Sequence, residues 1–253
     1  MRTVGEIYDV LDTYCDFNNQ EPWDNSGLLV GDRNQKVDKI MVTLDITSDV
    51  VIQAKQQGVQ LIVSHHPVIF KPLKSLNTNE AVYMLAHFGI AAICAHTCLD
   101  AARGGVNDVL ADILKLHDVE AVASKETSTM LLRVGFTDKG YSPEAFARYV
   151  GQRLHTKVLL SNADKNINKV MLCTGSGGEF FNDARLHGCQ ALVTGEAGYH
   201  NMIDSANLGV TLIAAGHFET ENPIVDTLIN FLQDKFAELE TVKAYRKTPV
   251  EII

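Results

Sequence analysis

Two adjacent histidines, His65 and His66, follow the apolar run Leu61-Ile62-Val63 and precede Pro67. Histidine and carboxylate side chains are the usual ligands of zinc, iron, manganese and nickel. On a regular strand His65 and His66 would face opposite ways. In a turn forced by Pro67 they can address two neighbouring ions. Asp100 ends the stretch His96-Thr97-Cys98-Leu99-Asp100 and could bridge two ions. His217 and Glu221 are four residues apart, one helical turn, at the mouth of a helix expected to start near Asn222-Pro223. Five ligands from three segments suit a two-metal site better than a mononuclear one. Plainer readings exist. Asp100 could cap the helix after Gly104-Gly105, Glu221 could be a helix-start charge, and Glu219 competes with Glu221 for the metal role. The isolated His87, His117, His155 and His187 read as ordinary hydrogen-bonding residues. Cys94 and Cys98 form a C-x3-C pair, but no second pair follows, so the five cysteines read as free thiols.

The elements explain why these side chains gather. Strand-type runs cover residues 39–44, 60–63, 90–94, 131–136, 158–161, 169–173, 191–194, 210–214 and 242–245. Between them lie helix-type stretches: residues 3–15, a segment capped by Thr47 or Ser48 and ended by Gly58, residues 79–88 and 105–116, one starting at Ser142-Pro143, and 223–239. In open α/β sheets, ligands bind beyond the carboxyl ends of strands. Five polar clusters fall at five such ends: Ser64–Pro67, His96–Asp100, Thr174–Gly178, Thr194–Glu196 and Gly216–Glu221. The turn Thr174-Gly175-Ser176-Gly177-Gly178 lacks the P-loop lysine and the full G-x-G-x-x-G pattern, and reads as a tight turn rather than an anion cradle. The fold class is α/β: two α/β lobes with mixed sheets, residues 1–125 and 126–253, divided in the polar stretch 124–129. The C-terminal helix and strand are expected to pack back on the first lobe.

Composition narrows the function. The chain has 253 residues, 46% of them hydrophobic and 21% charged, which excludes an intrinsically disordered or disulfide-scaffold protein. With 22 basic and 31 acidic residues the net charge is −9, which argues against a general nucleic-acid binder. Apolar runs fall short of the ~20 residues of a membrane span. The N-terminus lacks an apolar signal core, so the expected compartment is the cytoplasm.

Glu21-Pro22-Trp23-Asp24-Asn25-Ser26-Gly27-Leu28, Ser-His-His-Pro, His-Thr-x-Leu-Asp with Gly-Gly-Val-Asn-Asp, Thr-Gly-Glu, and Gly-His-Phe-x-Thr-Glu occur in that order. In this combination the chain resembles the dinuclear-metal family called GTP cyclohydrolase I type 2-like, or NGG1-interacting-factor-three-like, in its compact form without an inserted domain. The resemblance implies two divalent ions per chain on His65, His66, Asp100, His217 and Glu221, sited at strand C-terminal ends between the lobes. It prefers Glu221 to Glu219, because the family's acid follows the threonine. It also implies a toroidal homo-oligomer, usually a hexamer. Cys98 stands where the family usually has asparagine, and Gly198-Tyr199-His200 replaces a more common His-His, leaving His200 as the candidate for a supporting or substrate role.

Two such ions would activate a water for hydrolysis of a small, purine nucleotide-like substrate. Glu196 or His200 could act as base and Arg103 could meet a substrate phosphate. The rival expectation is a non-catalytic metal-binding ring: a metal store, chaperone or interaction hub.

Overall fold

The computed structural model describes residues 1–245. The chain forms two compact units. One comprises Met1–Ala102 with the segment from Ile224, and the other comprises Arg103–Pro223.

The first unit is built on a five-stranded sheet in the order Glu240–Lys243, Lys39–Thr43, Leu61–Ser64, Ala91–Cys94, Gly27–Val30. The first four strands are parallel and the last is antiparallel. Leu61, Ile62, Val63, Ala91, Ala92 and Ile93 are all buried, as expected of parallel strands covered on both faces. This is why the sequence shows apolar runs rather than alternation. Met41, Ile62 and Ala92 share a core with Val50, Val51 and Ala54 of the helix Ser48–Gln56 and with Leu85 of the helix Ala81–Phe88. The N-terminal helix Val4–Cys15 starts with a capping box: Thr3 accepts from the Glu6 amide, and Glu6 accepts from the Thr3 amide.

The second unit carries a six-stranded sheet in the order His117–Val122, Leu132–Tyr141, Ile167–Cys173, Ala191–Thr194, Thr211–Ala214, Leu159–Ser161. Its third to fifth strands are parallel, and the flanking ones are antiparallel. The helix Pro143–Leu154 has Ser142 as N-cap and proline at its start.

The division between units falls after Ala102, not within 124–129. The reason is packing. Leu110, Ala111 and Leu114 of the helix Val106–Ile113 and its C-terminal flank join Phe146, Val150, Val170 and Ile213 in one core. His117–Val122 then pairs with Leu132–Tyr141 as an edge strand. The helix Ile224–Lys235 and the strand Glu240–Lys243 belong to the first unit. No helix among the described residues is long and apolar enough to cross a membrane.

The assignment of residues 103–122 to the second unit predicts that Leu110→Ala destabilises that unit by about 2–5 kcal/mol through cavity formation. Urea unfolding followed by a probe in the second unit checks this. A change under about 0.5 kcal/mol would place Leu110 outside that core.

Candidate metal centre

In the first unit, parallel strand ends deliver three imidazoles to one place. His65 and His66 leave Leu61–Ser64, and His96 leaves Ala91–Cys94. Each offers a ring nitrogen within 4.8 Å of the other two, so this group could hold a metal ion. His65 is fully buried, and its Nδ1–H donates to the Ala95 carbonyl at 2.8 Å. That fixes the tautomer and turns Nε2 toward Asp100 Oδ1, 3.6 Å away. His66 Nδ1 lies 2.7 Å from Asp45 Oδ1, and His96 Nδ1 lies 2.7 Å from Asp24 Oδ1.

The sheet register sets the first two partners. Ser64 pairs with Cys94, so His65 lies next to Ala95. Thr43 pairs with Ser64, so Asp45 and His66 are each two residues beyond the pair. Asp24 comes from the loop before Gly27–Val30, the antiparallel neighbour of Ala91–Cys94. Its side chain is 0% exposed. It accepts from the amides of Asn25 and Thr97 at 2.7 and 3.0 Å and from the Ser26 hydroxyl at 3.1 Å. Burial by itself would raise its pKa. The hydrogen bond and charge of His96, with Thr97 and Asn25, outweigh burial and hold the carboxyl well below the usual range.

In the second unit, His217 follows Thr211–Ala214 and Glu196 follows Ala191–Thr194, the adjacent parallel strand. His217 and Glu221 occupy their own short helix, His217–Glu221, instead of the mouth of the next one. One turn apart, they face each other with His217 Nε2 3.0 Å from Glu221 Oε2. Glu221 is buried. Glu219 folds back toward Gly216 and also lines a groove beside the helix Pro143–Leu154. Glu196 Oε1 lies 3.4 Å from His217 Nδ1, while its Oε2 accepts from the Ser176 hydroxyl at 2.6 Å. The Ser176 hydrogen bond, with the charge of His217, overcomes partial burial and lowers the Glu196 pKa.

The turn at Thr174–Gly178 is a wall of this cluster. Gly175 has φ +62°, and a Cβ there would stand 2.2 Å from Glu221 Oε1 and 3.3 Å from His217 Nε2. Gly195 is similarly enclosed: its Cβ would meet the Gly175 carbonyl and the His217 Cα. Buried Asn107 accepts from the Thr174 amide at 2.9 Å, and Asp108 accepts from Gly104 and from Arg133. Thus the Gly-Gly-Val-Asn-Asp motif supports the second unit's loops. Asp100 does not cap the following helix, whose N-cap is Gly105.

The structure therefore brings His65, His66 and Asp100 together in one unit, and His217, Glu221 and Glu196 in the other. Arg103 is exposed. His200 is exposed on the helix Tyr199–Asn207, its ring edge-on to Tyr199. His96, Asp24 and Asp45 carry no assigned role in the sequence reading. A histidine and two acids at the mouths of the same strands were the available signal. The C-x3-C pair belongs to the core. Both cysteines are buried, and Cys94 donates to the His65 carbonyl at 2.9 Å, its pKa pushed up by burial.

Comparison with known proteins gives a consistent picture. The model of the Duf34/NIF3 (NGG1p interacting factor 3) family matches residues 2–249. A Clostridium perfringens protein named GTP cyclohydrolase 1 type 2 homolog is 29% identical, covering 99% of each chain. A Helicobacter pylori protein named GTP cyclohydrolase 1 type 2 is 30% identical over the full length of both. A Bacillus cereus protein related to NIF3 has the same fold, with TM-score 0.90 at 20% identity over 100% of this chain and 99% of that one.

Asp24 generates a prediction with a defined sign. Its folded-state pKa is depressed, so its contribution is fully present above the unfolded value of about 3.9 and is lost as pH falls through the folded one. Asp24→Asn is expected to cost about 1–3 kcal/mol near neutral pH. The gap to wild type should stay level from about pH 7 to 5 and narrow below about pH 4. Urea unfolding across that range checks it, and a gap without a pH trend would contradict it.

Proposed function

The chain belongs to the Duf34/NIF3 family, and from that premise we propose that it is a metal-dependent hydrolase acting on a small, nucleotide-like substrate, assembled as a homohexameric ring. The observation that carries the reading is the orientation of the imidazoles. His65, His66 and His96 each have Nδ1 engaged by a carbonyl or carboxylate, which is how proteins aim Nε2 at a metal. The substrate class follows the name GTP cyclohydrolase 1 type 2 borne by full-length relatives.

The residues present fit divalent cations. The donor set of imidazoles and carboxylates is that of zinc, iron, manganese or nickel sites. Gly175 keeps its side of the His217–Glu221 pair clear where any Cβ would collide with the carboxylate. His65, His66 and Asp100 from one unit, and His217 and Glu221 from the other, would hold two ions. When bound, such ions lower the pKa of a water and polarise the bond it attacks.

The other residues have supporting tasks. Glu196 orients His217, since one carboxylate oxygen faces Nδ1 and the other is held by Ser176. With both oxygens engaged, orienting His217 suits this carboxylate better than acting as a base. His200, exposed on its helix, is the remaining candidate to move a substrate proton, and Arg103 the candidate to meet a phosphate.

Metal binding and turnover are tested separately. Asp45→Asn should weaken metal affinity about 10–100-fold with the fold intact, as expected for a residue that orients a ligand. Glu221→Gln should lose metal while Glu219→Gln retains it. Elemental analysis after reconstitution with zinc, manganese or iron checks both, and equal retention in the two glutamate variants would refute the ligand set. The reconstituted ring should open the purine ring of GTP by adding water to a C–N bond, and chelated protein should not. Full metal loading without turnover of any nucleotide would favour the non-catalytic metal-binding ring.

A further inference from the structure

One group of side chains near the imidazoles takes no part in the proposed metal chemistry. Trp23 and Phe70 are large aromatic residues left 58% and 44% exposed. They meet edge to face, with ring centroids 6.0 Å apart. Both also meet His96, at 6.1 and 6.2 Å. His96 in turn lies 5.2 Å from His65 and 5.5 Å from His66. A continuous ring surface therefore runs from solvent to the candidate ligands within the first unit.

This surface is held in shape from beneath. Asn25 Nδ2 donates to the Ile69 carbonyl at 2.6 Å, tying the Trp23 loop to the Phe70 segment. Asp24 anchors His96 through its ring and Thr97 through its amide. The exposed aromatics thus sit on a fixed frame. Lys71 and Lys74 follow Phe70 on this segment and are both exposed, while the carboxylate that closes it, Glu80, is held by Asn77.

We propose that Trp23 and Phe70 form a seat for a planar heteroaromatic ring, which stacks there with its polar edge toward the imidazoles while Lys71 and Lys74 attract an anionic substituent. Aromatic side chains bind such rings through their faces with little sequence or substituent preference. His96, which is outside the five-ligand set, is left to meet the ring's polar edge, and the lysines favour a phosphorylated compound. This deepens the hydrolase reading and rests on it for the identity of the neighbouring site.

Trp23 is the single tryptophan of the chain, so its fluorescence reports on this seat alone. The full-length protein, both chelated and zinc-reconstituted, is titrated with guanosine, GTP, ribose 5-phosphate and inorganic triphosphate, with excitation beyond the purine absorption band. Guanosine and GTP should quench saturably, and the two ringless compounds should not. Phe70→Ala should raise the guanosine midpoint about five- to a hundredfold. Phe70→Tyr, which keeps a ring face, should bind like wild type, as should Leu73→Ala on the same segment. Replacing Lys71 and Lys74 by alanine should raise the GTP midpoint more than that of guanosine. Absent quenching, equal quenching by ringless anions, or an unmoved midpoint in Phe70→Ala would each overturn the proposal; absent quenching is the result expected if a second copy of the chain covers the patch. Ring binding without turnover would contradict the hydrolase reading and leave the seat standing. Turnover without a Trp23 response would do the reverse.

Discussion

A histidine presents one ring nitrogen to a ligand only if something holds the other, and in this chain the holding groups are carried by neighbouring strands. His65 is held by Ala95, His66 by Asp45 and His96 by Asp24, and His217 faces Glu196. Each of these partners flanks the strand adjacent to the one carrying its histidine. Every orientation therefore depends on strand pairing. The aim of the imidazoles, the burial of Asp24 and the fit of Gly175 against Glu221 all follow from sheets formed in one register.

That dependence explains where the hydrophobic material is spent. Parallel strands buried on both faces cannot slip by a residue without exposing or misplacing a full set of apolar side chains. Ile62 and Ala92 in one unit, and Val170, Val193 and Ile213 in the other, fix register through core packing. The polar residues just beyond them inherit that precision. Loops alone would not supply it, and the loops here are tied back: Asn107 holds the Thr174 turn, and Thr194 donates to the Gly175 carbonyl at 3.1 Å.

Much of this was readable in the sequence because buried parallel strands announce themselves as short apolar runs. The exits of Leu61–Ser64, Ala91–Cys94 and Thr211–Ala214, and with them His65, His66 and His217, are visible in the amino-acid sequence itself. Other features left weaker marks. His117–Val122 is a mostly exposed edge strand without alternation, so no strand was expected there. The unit boundary after Ala102 coincides with no change in composition; it is set by where Leu110 and Leu114 find their core. Asp45 and Asp24 are not marked by local sequence, because their partners are 21 and 72 residues away and only the sheet brings them together. Glycine 175 read as a turn residue, while its second task, leaving room for a carboxylate, depends on a helix far along the chain.

Strand pairing holds Nδ1 of His65 and His66, which leaves Nε2 of each as the nitrogen to take a metal ion. The most direct measurement is anomalous diffraction from crystals of the zinc-reconstituted protein. Ions are expected about 2.0–2.1 Å from Nε2 of His65 and of His66, with Nδ1 still on Ala95 and Asp45. Ions bonded through Nδ1, or bound zinc that leaves both rings untouched, would contradict it.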